Sequence, residues 1–249
     1  MSERQIIEQM SYKTVYREGN TIVKEFTPSH PKGDVFKEAY IHACVEEAGV
    51  PTSKILGVSP SNGGWAITQE YVEGPTLQQL MDENPDKIDE YLEKLVDVQL
   101  ATSTYRVPAL HNTRTKLTEI IRSLSEIDAS TRYELLHRIN GMPQHSKLCH
   151  GDLVPSNIII REDGSYCILD WAHASSGNAG ADAAGTYLRF CLDAPELSDK
   201  YLQLFCKKAD MAIQYVQMWM PVIAAARMAK HRESERALLE KWIGVAEYQ

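Results

Sequence analysis

Near the start of the chain, two short runs that mix apolar, β-branched and charged residues, 14–17 (Thr-Val-Tyr-Arg) and 21–26 (Thr-Ile-Val-Lys-Glu-Phe), read as strands. The two runs flank Glu18-Gly19-Asn20, the pattern of a β-hairpin with a short loop. In the second run Ile22, Lys24 and Phe26 share one face, and Thr21, Val23 and Glu25 share the other. Lys24 therefore projects with two large apolar side chains. If that face is interior, the ammonium needs an anionic partner or ligand, because an unpaired buried charge is costly. If the strand is an exposed edge, the lysine snorkels to water.

The period then changes to that of a helix. Asp34 is placed to cap a helix over 35–48, closed by Gly49 and Pro51. Val35, Ala39 and Ala43, with Phe36 and Tyr40, form one apolar stripe, and Glu38, Ile41 and Val45 an adjacent one. Glu38 stands where it meets Lys24 if the helix packs on the sheet, and faces solvent otherwise. Two more strands are predicted at 54–58 and 65–71, joined by the polar stretch 59–64. The extended segment Glu70-Tyr71-Val72-Glu73 then meets a Gly74-Pro75 break, which marks a boundary between a first lobe over 1–73 and a second over 74–249.

Beyond that break the pattern is helical: 86–105, a run through Leu117, Ile120, Ile121, Leu124 and Ile127, and another through Tyr133, Leu136 and Ile139 closed by Gly141. After a loop at 175–180, further helices are predicted at 181–192, 198–208, 210–220, 222–231 and 233–245. Between the two helical groups lies Cys149-His150-Gly151-Asp152-Leu153-Val154-Pro155-Ser156-Asn157, followed by strands at 158–160 and 166–169. Pro155 rules out a regular helix between Asp152 and Asn157. Asp163-Gly164 is a hairpin signal, and Asn157 and Asp170 are equidistant from it, so in register they face each other at the open end. Asp152, Asn157 and Asp170 together suit a hard divalent cation plus a general base, as phosphoryl transfer from a nucleotide requires. The predicted fold is α+β, with a small antiparallel-sheet lobe followed by a mainly helical one.

Composition narrows the partners. A net charge of −8 argues against general nucleic-acid binding and is compatible with a cationic substrate drawn to an acidic cleft. The five cysteines form no Cys-x-x-Cys pair, which points to a reducing compartment rather than a disulfide framework. The opening Met1-Ser2-Glu3-Arg4-Gln5 lacks the apolar core of a signal peptide, and the apolar stretch 218–229 is broken by Pro221 and Arg227 and too short to span a bilayer. A cytoplasmic protein without membrane partners is expected.

His150-Gly151-Asp152-x-x-x-x-Asn157 with Asp170-Trp171 resembles the aminoglycoside phosphotransferase and choline kinase family, small-molecule kinases of protein-kinase-like fold, and the resemblance spans nearly the whole chain. It implies that Asp152 accepts or orients the proton of the acceptor hydroxyl, and that Asn157 and Asp170 hold magnesium bridging the phosphates of ATP. Lys24 would contact the α- and β-phosphates and be positioned by Glu38. The Glu70 carbonyl and Val72 amide would read adenine, and Asp182 would buttress the loop near His150. Ser11-Tyr12-Lys13-Thr14 stands in place of a glycine-rich phosphate loop. A protein kinase is the alternative; against it, the span from Asp170 to Asp182 is short for an activation segment and no Ala-Pro-Glu follows. A nucleotide-binding pseudoenzyme is a further alternative, which the presence of all five key groups disfavours.

The acceptor stays open. An aminoglycoside would want carboxylates near Asp152, and Glu233, Glu235, Glu240 and Glu247 could supply some; those residues equally make a solvated helix face paired with Lys230, Arg232, Arg236 and Lys241. A choline-like amine would want an aromatic cage, with Trp171, Trp219 and Trp242 as candidates. Sugar, amino-alcohol and nucleoside acceptors are also compatible.

Overall fold

The computed structural model describes residues 4–244, so Glu247 and the end of the last helix at Val245 lie outside the described residues. The chain first builds β1 (Arg4–Gln9), β2 (Lys13–Glu18), β3 (Thr21–Phe26), α1 (Lys32–Glu47), β4 (Ile55–Ser61), β5 (Gly64–Glu70) and α2 (Leu77–Glu83). It continues through α3 (Ile88–Thr102), α4 (Thr113–Ser123), α5 (Ala129–Gly141) and β6 (Lys147–Cys149) to the strands β7 (Ile158–Ile160) and β8 (Tyr166–Ile168). Then follow β9 (Ser175–Gly177), α6 (Ala179–Asp193), α7 (Pro195–Ala209), α8 (Ile213–Gln217), α9 (Met220–Met228) and α10 (Glu233–Gly244).

Contacts divide the chain into two compact units: the first runs to Asp86 and takes up Pro155–His173, and the second comprises Lys87–Val154 and the chain from Ala174 onward. Backbone bonds tie the β7–β8 hairpin to the chain just before β4 and just after β5, all within the first unit. Ile168 N–H donates to Pro51 O at 2.8 Å and Ile160 N–H to Pro75 O at 3.0 Å. Gly74 makes the second junction possible: its φ is +134°, and a Cβ there would lie 2.4 Å from Ile160 O.

In the first unit the five strands pair antiparallel in the order β1-β2-β3-β5-β4. Strand β1 is absent from the expectation because none of its residues is buried, so it carries no inside-outside alternation. Strands β4 and β5 are joined by the two-residue turn Asn62-Gly63, both residues with positive φ, rather than by the polar loop 59–64. Helix α1 lies on the sheet through Phe26, Val35, Ala39 and Ile67, with Ile55, Val58 and Trp65 against them. Burying Phe26 there contributes about 2–3 kcal/mol. Two details of α1 differ from the sequence pattern. It begins at Lys32 without a side-chain cap, leaving Asp34 in the first turn, where a carboxylate still meets the positive end of the helix. Its inner face is Val35, Ala39, Ile41, His42 and Val45, so Phe36 and Tyr40 are exposed.

The second unit is mainly helical. Small residues of α6 (Ala181, Ala183, Ala184) are buried and allow close packing, and the helix starts two residues earlier than expected because Asn178 caps it, its Oδ1 accepting from Gly180 N–H at 2.8 Å. The interior holds a satisfied polar chain. Gln99 Nε2 donates to Asp182 Oδ2 (3.3 Å) and Thr186 Oγ1 (3.1 Å), while its Oε1 accepts from Tyr201 at 2.5 Å. Between α9 and α10, Arg227 forms a two-pronged ion pair with Glu235, both bonds 2.7 Å. Among the described residues no helix is long and apolar enough to cross a membrane.

Candidate active site

In the first unit Lys24 Nζ donates to Glu38 Oε1 at 2.7 Å and to Asp170 Oδ1 at 2.8 Å. The lysine side chain is 9% exposed and Glu38 is 13% exposed, which decides between the two sequence readings: this is an interior lysine with anionic partners. Burial opposes its charge, but Asp170 and Glu38 outweigh that cost and hold the ammonium well above the ordinary lysine value. The same geometry explains the sequence spacing. The inward face of β3 presents the lysine, and α1 packed on that sheet presents the glutamate.

Asn157 and Asp170 lie on either side of the β7–β8 hairpin but are not opposite each other. The ladder pairs Ile158 with Ile168 and Ile160 with Tyr166, and Leu169 N–H donates to Asn157 O at 2.8 Å, so Asn157 faces Leu169. The slip of one residue comes from the turn. Arg161 N–H bonds to Ser165 O, making a three-residue loop in which Gly164 (φ 78°) takes the left-handed position. Asp170 thus sits one step past the ladder, itself at φ 58°.

Lys24, Asn157 and Asp170 line a cavity of about 480 Å³ together with Glu70 and Val72, a size suited to a small ligand. Its apolar lining includes Val15, Ile22, Ile159 and Leu169, and Val72 packs with Ile159, Cys167 and Leu169 in one cluster. Glu70 N–H is committed to Lys54 O and Tyr71 N–H to Asn20 O. Lys13 and Arg17 also line the cavity, and the sequence reading assigned neither a role. A cue was available, since Lys13, Val15 and Arg17 share a strand face.

In the second unit, Asp152 follows a fully buried His150 whose Nδ1 accepts from the Asp152 N–H at 3.3 Å. Asp182 Oδ1 accepts from Gly151 N–H at 2.7 Å, so this carboxylate braces the loop backbone. The Asp152 side chain, 22% exposed, has Arg189 Nε and Lys230 Nζ each 3.9 Å away. Arg189 was not singled out in the sequence, and Lys230 entered it only as a counter-ion of the last helix.

The aromatic-cage reading fails at Trp171, which is fully buried, with Nε1 donating to Thr52 Oγ1 (3.0 Å) and Ile168 O (3.1 Å). The carboxylates of α10 are engaged: Glu235 is buried on Arg227, and Glu240 accepts from Arg236 at 2.8 Å. All five cysteines are free thiols, and burial pushes the Cys167 thiol up to about 11.

The fold is that of small-molecule kinases. A thermostable mutant of aminoglycoside phosphotransferase APH(4)-Ia, solved with AMP-PNP and hygromycin B, is similar with a TM-score of 0.73 and 13% identity, covering 98% of this chain and 93% of that one. Choline kinase LicA from Streptococcus pneumoniae is similar with a TM-score of 0.63 and 16% identity, covering 99% and 94%. No curated protein matches by sequence. The phosphotransferase enzyme family matches over residues 4–213, and the chain belongs to that family. It is a phosphotransferase with a kinase-like α+β architecture.

The metal that such a site implies can be tested against the donors present. Among the described residues no group of three or more His, Cys, Asp and Glu could hold an ion. Asp170 and Asn157 offer one carboxylate and one carboxamide at the cavity wall. That set fits magnesium, which binds through one or two protein oxygens and completes its shell with phosphate and water.

Proposed function

We propose that this protein transfers the γ-phosphoryl group of ATP to a hydroxyl of a small molecule. The observation that carries the reading is Lys24, held by both Glu38 and Asp170 at the wall of a cavity that also includes Asn157. Lys24 would contact the α- and β-phosphates, and Glu38 would fix its position. Val15, Ile22, Ile159 and Leu169 would enclose the adenine, with the Glu70 carbonyl and Val72 amide as its hydrogen-bond partners. Asn157 and Asp170 would hold magnesium, which when bound supplies neutralisation of phosphate charge. Asp152 would orient the acceptor hydroxyl and take its proton as the oxygen bonds to the γ-phosphorus and the bond to the bridging oxygen breaks, releasing ADP. The braces from His150 and Asp182 keep that loop in place, which matters because phosphoryl transfer depends on alignment more than on covalent help.

The test is magnesium-dependent transfer of labelled phosphate from ATP to a hydroxyl-compound library, run with the Asp152→Ala protein in parallel. The expected result is transfer by the wild type and nucleotide binding without transfer by the variant. Turnover of the variant at the wild-type rate would remove Asp152 from the mechanism.

A further inference from the structure

The charges around Asp152 within the second unit carry a substrate class. Among the described residues, the carboxylate that Lys230 Nζ meets is Asp152, whose Oδ2 is 3.9 Å away, although the lysine side chain is only 33% exposed. Arg189 pairs through one terminal nitrogen with Asp193 at 3.0 Å. Its Nε, buried and without a hydrogen-bond partner, stops 3.9 Å short of Asp152. Arg227 and Arg232 share the single carboxylate of Glu235. Set against Asp152, Asp193 and Glu235, the cations Arg189, Arg227, Lys230 and Arg232 leave one positive charge over, in a chain whose net charge is −8. Burial draws the Lys230 ammonium below the ordinary lysine value; Asp152 pulls the other way, while Arg227, Arg189 and Arg232 add to the lowering. A lysine and an arginine Nε left this incompletely paired make a poor structural ion pair, since desolvation is not repaid at such distances.

We infer that the acceptor is an anionic hydroxyl compound, bearing a carboxylate or a phosphate, held by Lys230 and Arg189 beside Asp152. This rests on the kinase reading above and deepens it. It has the opposite sign from the cationic acceptor that the overall charge of the chain admits, because local charge and not the total sets what a site attracts. An anion here would give both cations their missing short bonds, while a cation would bring a like charge against Lys230.

The experiment measures phosphate transfer from ATP to acceptors sorted by charge: D-gluconate and glucose 6-phosphate as anions, glucose as the neutral control, choline and hygromycin B as cations. Gluconate against glucose 6-phosphate separates a carboxylate from a phosphate requirement. Each acceptor is run with wild type, Lys230→Met, Lys230→Arg and Arg189→Met. The expected result is a kcat/KM about tenfold or more higher for an anionic acceptor than for glucose. Lys230→Met raises the KM for that acceptor by a similar factor and leaves the KM for ATP within about twofold, and Lys230→Arg restores part of the loss. Preference for choline or hygromycin B overturns the inference, as does an equal fall for anionic and neutral acceptors in Lys230→Met. No transfer to any acceptor, with nucleotide still bound, overturns the kinase reading instead.

Discussion

Two charged clusters, one in each unit, are built on opposite plans. Around Lys24 a single cation is closed off by two carboxylates at 2.7 and 2.8 Å. Around Asp152 a single carboxylate has two cations, both at 3.9 Å. The first arrangement fixes a side chain: once Lys24 is buried, only a doubly bonded lysine is tolerable, and its position is set before any ligand arrives. The second leaves the buried Arg189 Nε without a hydrogen-bond partner among the described residues. A cluster closed by short bonds fixes geometry, and one whose cations stand farther off has room for a ligand.

The largest expected effect breaks the closed cluster. Asp170→Ala removes one partner of Lys24 and the proposed metal oxygen, and a steady-state kinase assay should show turnover reduced roughly a thousandfold or more. Asp152→Asn addresses the open cluster: kcat should fall about a hundredfold, while the Kd for nucleotide by calorimetry stays unchanged. Glu235→Ala breaks a second closed pair, the one between Glu235 and Arg227. It strands the buried Arg227, and thermal melts should show a loss of about 3 kcal/mol.

The pH dependence of the same pair sharpens that third case. The Arg227 hydrogen bond holds the Glu235 carboxyl down at about 2, against an ordinary value of 4.5. Because the folded pKa is depressed, the stabilisation is fully present above about 4.5 and is lost as pH falls through about 2. Wild type and Glu235→Gln should therefore differ most in stability near neutrality and converge towards pH 2 in a denaturant titration. The smallest effect belongs to the exposed Arg236–Glu240 pair, where Glu240→Ala should cost under about 0.5 kcal/mol in the same melts.

What the sequence conveyed follows from how local each signal is. Lys24 and Glu38 were legible because strand and helix periods each put one charged residue on an apolar face. The Asp152-to-Asn157 loop was legible from spacing and Pro155. The facing of Asn157 and Asp170 was misjudged by one residue, since Asp163-Gly164 reads equally as a two-residue turn or as the end of a three-residue loop, and only the ladder distinguishes them. Asn62-Gly63 was hidden inside a polar stretch that reads as loop. Strand β1 has no buried side, and α2 is short. The Phe36 and Tyr40 error is a phase error: aromatic rings next to a stripe count as apolar, yet a sheet accepts only the narrower face. Arg189 lies on α6 and Lys230 in the turn after α9, both far from Asp152 in sequence, and nothing local joins them to it.

Asp170 combines two demands that are usually separate. Its carboxylate has work to do, and its backbone at φ 58° lies where most side chains are crowded. Under random mutagenesis the position would accept a very short alphabet, with asparagine and glycine the replacements that the chain can follow without distortion. Asparagine keeps the shape and discards the charge. For trapping nucleotide and acceptor together, Asp170→Asn is therefore a better starting variant than alanine, since it removes the carboxylate that the proposed chemistry uses while leaving the turn at the end of β8 undisturbed.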